Sequence, residues 1–210
     1  MDREPLPSQT ICDEGGLREI YAEPSELARK KQLDRLDKHC REFIALSPFL
    51  TLGTSTAHGA DVSPRGDPPG FVQVLDDNTI LIPDRPGNNR LDTLGNLMVN
   101  PAVGILFLIP GVEETLRVNG TARVTTDPTL LAACVVNGKT PKSALKVEVR
   151  EAYLHCAKAL KRSRLWSDDY RIERKRLPSL GRIITEQVET GMTAEQAEQR
   201  IEEAYKKTLY

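Results

Sequence analysis

Three arginines fall within residues 61–101, and their neighbours mark them as candidates for anion chemistry. Arg65 stands between Pro64 and Gly66, Arg85 precedes Pro86 and Gly87, and Arg90 follows Asn88 and Asn89. Proline and glycine at these positions predict turns rather than regular elements. Glycine lets backbone N–H groups approach a ligand, the two asparagine amides can donate, and a guanidinium fork can hold phosphate oxygens in pairs. The bland alternative is a set of solvated turn arginines. Position favours the site: the arginines bracket one short apolar strand, Thr79-Ile80-Leu81-Ile82, so a hairpin-like return would bring Arg65 and Arg90 to one side of a sheet. Other reactive side chains read less well. His58 is a possible proton donor, but it sits in a tight turn and reads as a surface residue. His39, Cys40, His155 and Cys156 have ligand chemistry without the spacing that puts two ligands on one metal.

These residues need a scaffold, and the chain offers alternating and periodic patterns in a definite order. Residues 1–24 mix charge, Pro and Gly with few large apolar groups and read as an extended arm. From Ser25 as N-cap to Leu46, the residues Leu33, Leu36, Cys40, Phe43 and Ile44 recur at helical spacing, and Ser47-Pro48 stops the helix. Residues 49–56 alternate as a strand, turn through Ala57-His58-Gly59 and return in a second strand. A short helix is expected over 91–98, with Leu91, Leu94 and Leu97 on one face and Asn100-Pro101 ending it. The run 102–109 is apolar throughout and reads as a strand buried on both faces, the centre of a barrel. Residues 115–125 alternate strictly, with Arg117 and Arg123 on the polar face. Arg123 reads as solvent-exposed, and Arg117 is left open. Asp127-Pro128 opens a short helix ended by Asn137-Gly138, and a last strand carries Leu145, Val147, Val149 and Glu151 on one face. A basic helix over 153–164 ends near Trp166; its cations are either a solvated face or a flank for an anionic cofactor. Thr193 to Gln196 forms a capping box for a charged helix through Lys207 with a narrow apolar stripe, fit to pack on a subunit or on the barrel.

Composition bounds the function. The 210 residues carry 29 Lys+Arg against 30 Asp+Glu, a net charge of −1. That leaves no global attraction to nucleic acid or to an anionic membrane, so anion recognition has to be local. No apolar run approaches the ~20 residues of a membrane span, and the chain opens without a basic, then apolar, leader pattern. A cytoplasmic protein is expected. Four scattered cysteines then favour free thiols.

In their order, these pieces resemble the pyridoxamine 5′-phosphate oxidase-like FMN-binding split β-barrel family, in its subgroup of probable FMN-dependent enzymes. The resemblance spans residues 33–166. It rests on a helix before the strand 49–56, the Pro64-Arg65 step, Ile82-Pro83-Asp84, Gly87-Asn88-Asn89-Arg90, Asn100-Pro101, the strand Arg117 to Val124 and the segment His155 to Trp166. It implies a mainly β fold with flanking helices (α+β), a six-stranded antiparallel split β-barrel, occupying residues 25–170 with a helical extension over 171–210. It also implies a homodimer with FMN at the subunit boundary. The FMN phosphate would lie against Arg65 and Arg90, assisted by Asn88 and Asn89, and Ser63, Gly66, Asp67, Pro83, Asp84 and Arg85 would line the rest of the cofactor.

The activity so implied is FMN-dependent oxidoreduction of a small molecule, with hydride passing to or from flavin N5. A non-catalytic flavin or haem binder, or a deazaflavin (F420)-dependent reductase, is the alternative on the same barrel. The chain departs from the vitamin B6 oxidase itself: Gly-Asn-Asn-Arg replaces that enzyme's Ser-Arg-Lys turn, and its C-terminal Trp and Arg-x-x-Pro features have no equivalent. Pyridoxamine phosphate is therefore not the expected substrate. No acid or base emerges from the sequence, and no Gly-x-Gly-x-x-Gly step is present to hold a dinucleotide.

Overall fold

The computed structural model describes residues 10–210, which divide into two compact units, the described residues up to Gln32 and residues 33–210. The first nine residues of the expected arm lie outside the described residues. The rest of that stretch is not uniformly extended: Asp13 accepts a hydrogen bond from the Gly16 amide and caps a helix, α1 (Glu14–Ile20). Ser25 caps a second, α2 (Glu26–Lys30). Neither helix buries a side chain.

The single helix expected over 25–46 is broken. After α2 the chain extends, and Leu33 forms a β-bridge with Ala152. Helix α3 (Lys38–Leu46) then starts afresh on Asp37, whose carboxylate accepts from the Cys40 amide at 2.9 Å. The helical spacing of Leu36, Cys40, Phe43 and Ile44 reports a real buried face; what it misses is that Asp37 is a good N-cap in its own right. Burial, with the nearby Asp37 second, pushes the Cys40 thiol up to about 11.

The sheet is antiparallel and open. Its strands are β1 (Phe49–Thr56), β2 (Gly59–Gly66), β3 (Gln73–Val74), β4 (Thr79–Asp84), β5 (Ala102–Leu108), β6 (Thr115–Thr125) and β7 (Ser143–His155), in the order β2-β1-β5-β6-β7-β4-β3. This is the expected mainly β split barrel with flanking helices, the two-residue β3 being an addition to the six strands. Leu50, Leu52, Ile80, Ile82, Ile105, Phe107, Leu116, Val118, Leu145 and Val147 fill its interior with Leu36 and Ile44 from the α3 side.

Strand β5 is not buried on both faces. Val103, Ile105 and Phe107 point into the core, while Ala102 and Gly104 are exposed and Leu106 and Leu108 half-buried. The strand covered on both sides is β4. Its Ile80 and Ile82 join the main core, and Leu81 joins a second cluster with Leu131, Cys134 and Ala144. Leu131 belongs to α5 (Pro128–Ala132), capped by Asp127 as expected. That helix ends early, and Asn137 and Gly138, both at positive φ, instead turn the chain between Val136 and Lys139.

The last strand runs longer than its pattern suggests. Pairing with β6 carries β7 through Tyr153 and Leu154 to His155, opposite Thr115, so the basic helix shrinks to α6 (Lys158–Ser163). A bulge between Asn119 and Gly120 resets the alternation: Val149 and Ala152 are both buried, and Glu151 leaves the core face. Gly120 is required there, because a Cβ would sit 2.1 Å from the Glu148 carbonyl oxygen. Beyond the sheet, α7 (Leu180–Gln187) packs on α8 (Ala194–Thr208), whose Thr193–Gln196 capping box is formed as expected. Among the described residues no helix is long and apolar enough to cross a membrane, and no group of three or more His, Cys, Asp or Glu is placed to hold a metal.

Candidate functional site

The two ends of the sheet do not pair with each other through the backbone. Side chains join them instead. Arg65, on β2, donates from Nη1 to the Asp84 carboxylate at the end of β4 at 2.5 Å. Arg85, one residue beyond Asp84, donates from Nε to Asp67, two residues beyond Arg65, at 2.6 Å. Both bridges are largely shielded, with the four side chains between 2% and 22% exposed. Arg65 therefore lies on a strand, not in a turn, and the contact between its segment and Arg85's comes from the sheet curling round rather than from a hairpin: β2 pairs with β1, at the far end of the order from β4.

The gap so bridged is a cavity of about 1180 Å³. Ser63, Arg65, Gly66, Asp67, Pro83, Asp84, Arg85, Asn88, Asn89 and Arg90 all line it. The polar turn is built locally. Asn88 uses its side-chain oxygen to accept from the Arg90 amide at 3.0 Å, and Asn89 and Leu91 take left-handed backbone conformations. The turn then enters α4 (Asp92–Val99). Asn88 is thus a turn-former whose oxygen is spoken for, with its NH2 left to donate. Leu91 is exposed rather than facing the core with Leu97, because its positive φ aims it away before the helix begins. Helix α4 is pinned over the strands by polar contacts, Ser63 with Thr93 at 3.1 Å and Asn96 with Thr54 at 3.0 Å.

Charge in the cavity is nearly balanced. Arg65, Arg85, Arg90, Lys139 and Lys142 face Asp61, Asp67, Asp84 and Asp92, a surplus of one positive charge. Arg90 differs from the other two arginines: it is 73% exposed and its partner is Asp92, two residues away. That carboxylate, through its hydrogen bond and then its charge, raises the Arg90 pKa. The shielded guanidinium of Arg65 keeps one donor without an acceptor, its buried Nε–H. An unpaired buried donor on an arginine is costly, and it marks this guanidinium as the one strained point of the bridged gap among the described residues.

Several lining residues carry no signal in the sequence. Lys139, Thr140, Lys142 and Ser143 come from the Asn137-Gly138 turn and the start of β7, and Leu209 and Tyr210 from beyond α8. Only the Asn-Gly pair hinted at the first group, as a turn. Nothing hinted at the second. Arg117, left open earlier, lies outside this site: it is 3.5 Å from Glu151 and stacks over Tyr153 on the sheet. Arg123 is exposed and His58 is exposed in its turn, both as expected. Trp166 donates to the Val112 carbonyl at 2.8 Å and does not line the cavity.

Comparison with curated proteins finds no match. Among solved structures, HupZ from Group A Streptococcus matches at 18% identity and TM-score 0.45, over 57% of this chain and 93% of that one. An FMN-binding protein from Syntrophomonas wolfei matches at 14% and 0.42, over 55% and 88%. An FAD-binding protein from Mycobacterium smegmatis matches at 17% and 0.42, over 59% and 97%. The family described as pyridoxamine 5′-phosphate oxidase matches residues 36–156, more than half of the chain, in a span that opens just before α3 and closes just after β7. The protein belongs to that family.

Proposed function

We infer that this protein binds FMN in the bridged gap of its barrel and uses it for oxidoreduction of a small molecule. The observation that carries the reading is the cavity wall: a shielded Arg65 guanidinium held by Asp84, in a cavity lined by every residue expected to hold the cofactor. The residues fit the group. A cavity of about 1180 Å³ lies somewhat above the usual range of small-molecule and cofactor sites, roughly 300–1,000 Å³, which leaves space for a flavin and a substrate together. Arg65 and Arg90, with the Asn88 and Asn89 amides, would hold the phosphate. Asp67 and Asp84 keep Arg65 and Arg85 in place before the ligand arrives, which reduces the ordering cost of binding.

When bound, FMN supplies a two-electron centre that accepts or gives hydride at N5. The chain's own part is to bind, orient and shield. Among the described residues of this chain that line the cavity there is no histidine or cysteine. The described lining of this chain also holds no Met, and its Tyr210 donates to Asp67, which favours a flavin over haem. A deazaflavin would make the same ring contacts as FMN and is separated by direct comparison of the two.

The same reading includes a homodimer. Val62 on β2 and Leu91, Met98 and Val99 around α4 are large apolar side chains exposed on two of the elements that line the cavity, a surface that a second copy would cover. The test is a titration of purified protein with FMN, followed by flavin absorbance and fluorescence and paired with light scattering. Shifted flavin bands, quenched fluorescence and twice the chain mass are expected. FMN fluorescence that stays unchanged at saturating protein defeats the cofactor assignment, and a monomer binding FMN stoichiometrically defeats the shared site.

A further inference from the structure

Tyr210 reaches the cavity from beyond α8, outside the seven strands of the sheet. Helix α8 opens on a capping box and runs for 15 residues, about 22 Å at the ordinary helical rise. It is held against α7 at Gly181, where a Cβ would lie 2.6 Å from Glu198 Cγ and 2.7 Å from its amide nitrogen. Beyond α8, Tyr210 makes three contacts with the cavity wall. Its phenol donates to Asp67 Oδ1 at 2.7 Å. The Arg85 guanidinium lies 5.7 Å from the centre of its ring, within cation–π range. Lys139 donates from Nζ to its main-chain oxygen at 2.8 Å. Asp67 thus has one oxygen on Arg85 and the other on Tyr210, and its carboxylate raises the phenol's pKa through that hydrogen bond, with burial second.

We propose that Tyr210 is a ligand-binding residue of this cavity, an aromatic wall that straps the chain beyond α8 across the site and holds a bound flavin in. The space of about 1180 Å³ exists with Tyr210 in place, so a ligand enters beside the ring and has no need to displace it. A tyrosine suits the position because one end packs against an aromatic or apolar ligand while the hydroxyl keeps its polar partner. The flavin part of this proposal rests on the function proposed above.

Tyr210→Ala and Tyr210→Phe in the full-length protein test it, each first shown to unfold at the wild-type temperature. Tyr210→Ala is expected to weaken FMN about tenfold, mostly through faster dissociation, and Tyr210→Phe, which keeps the ring and loses the Asp67 bond, about threefold. Unchanged or tighter FMN binding in Tyr210→Ala overturns the wall. A second readout uses no flavin: trypsin cleavage after Lys206 and Lys207 should be several times faster in Tyr210→Ala than in wild type, since the strap anchors the end of α8. Equal cleavage rates overturn the docking. If the wild-type protein fails to bind FMN, the proposed cofactor falls, and the cleavage comparison still decides whether Tyr210 straps the cavity.

Discussion

The sheet is held in two different ways, and the contrast explains where a ligand can go. Between β6 and β7 it is a continuous backbone ladder from Thr115–His155 to Thr125–Ala144, interrupted only by the bulge at Gly120. Between β2 and β4 there is no ladder, and two arginine–carboxylate pairs cross the gap. A ladder satisfies its donors and acceptors and leaves no volume. A gap spanned by long side chains leaves a cavity with charged groups on its wall. In the pyridoxamine 5′-phosphate oxidase family member described by this chain, the backbone-sealed side is structure and the side-chain-bridged side is the candidate site.

Breaking the ladder should have the largest effect. Gly120→Val places a branched side chain where even a Cβ meets the Glu148 carbonyl oxygen at 2.1 Å, and should cost about 3 kcal/mol or more of stability. Urea denaturation measures it; a loss below about 1 kcal/mol would mean that the bulge relaxes easily.

Breaking the gap should be milder for the fold and harsher for the ligand. Arg65→Ala leaves Asp84, 22% exposed, without its partner, for a stability loss of about 2 kcal/mol given partial shielding. FMN binding should fall with it, because a cation of the proposed phosphate site goes too. If FMN affinity is intact in this variant, the phosphate does not lie at Arg65.

Arg90→Ala sharpens the comparison, since this arginine is exposed and spans nothing. The fold should be untouched, while FMN weakens by about 2 kcal/mol, near thirtyfold, and riboflavin, which lacks the phosphate, loses much less. Equal losses for both ligands would assign Arg90 to turn structure or ring contact. Arg123→Ala, exposed on β6, is the control and should change neither.

The smallest effect expected lies away from both. Asp37→Ala removes the cap that starts α3 and should cost about 1 kcal/mol, read as a shift in the urea midpoint with unchanged slope. FMN affinity should stay within twofold of wild type, and a larger change would show that α3 couples to the cavity.

Much of this was legible before any coordinates. The strands Phe49–Thr56 and Thr115–Thr125 match the sequence expectation to the residue, because strict alternation states which face is buried. The capping box at Thr193 and the Asp127 cap are equally local and equally readable. The ten residues expected around the cofactor line one cavity; the Gly87–Arg90 turn was a local signal, whereas Ser63 to Gly66 lie on β2 and entered through the family resemblance as well as the Pro-Arg-Gly step. The break in the helix over 25–46 escaped because Leu33 has helical spacing and yet is claimed by a bridge to Ala152, more than a hundred positions away.

What the sequence determined is thus the identity and local geometry of the segments, down to the polar turn Asn88-Asn89-Arg90 that carries its own hydrogen bond. Tertiary structure decided three things that no local pattern encodes. It chose which strand is covered twice, β4 rather than β5, because a second cluster from α5 packs over Leu81. It paired each shielded arginine with an aspartate from the opposite end of the sheet, turning a run of loose cations into a nearly neutral, pre-positioned wall. And it brought Tyr210 to Asp67, 143 positions away. The physical reason is the same in all three: periodicity and capping depend on neighbours along the chain, whereas the closing of a sheet and the reach of a side chain across its gap depend on where distant segments stop.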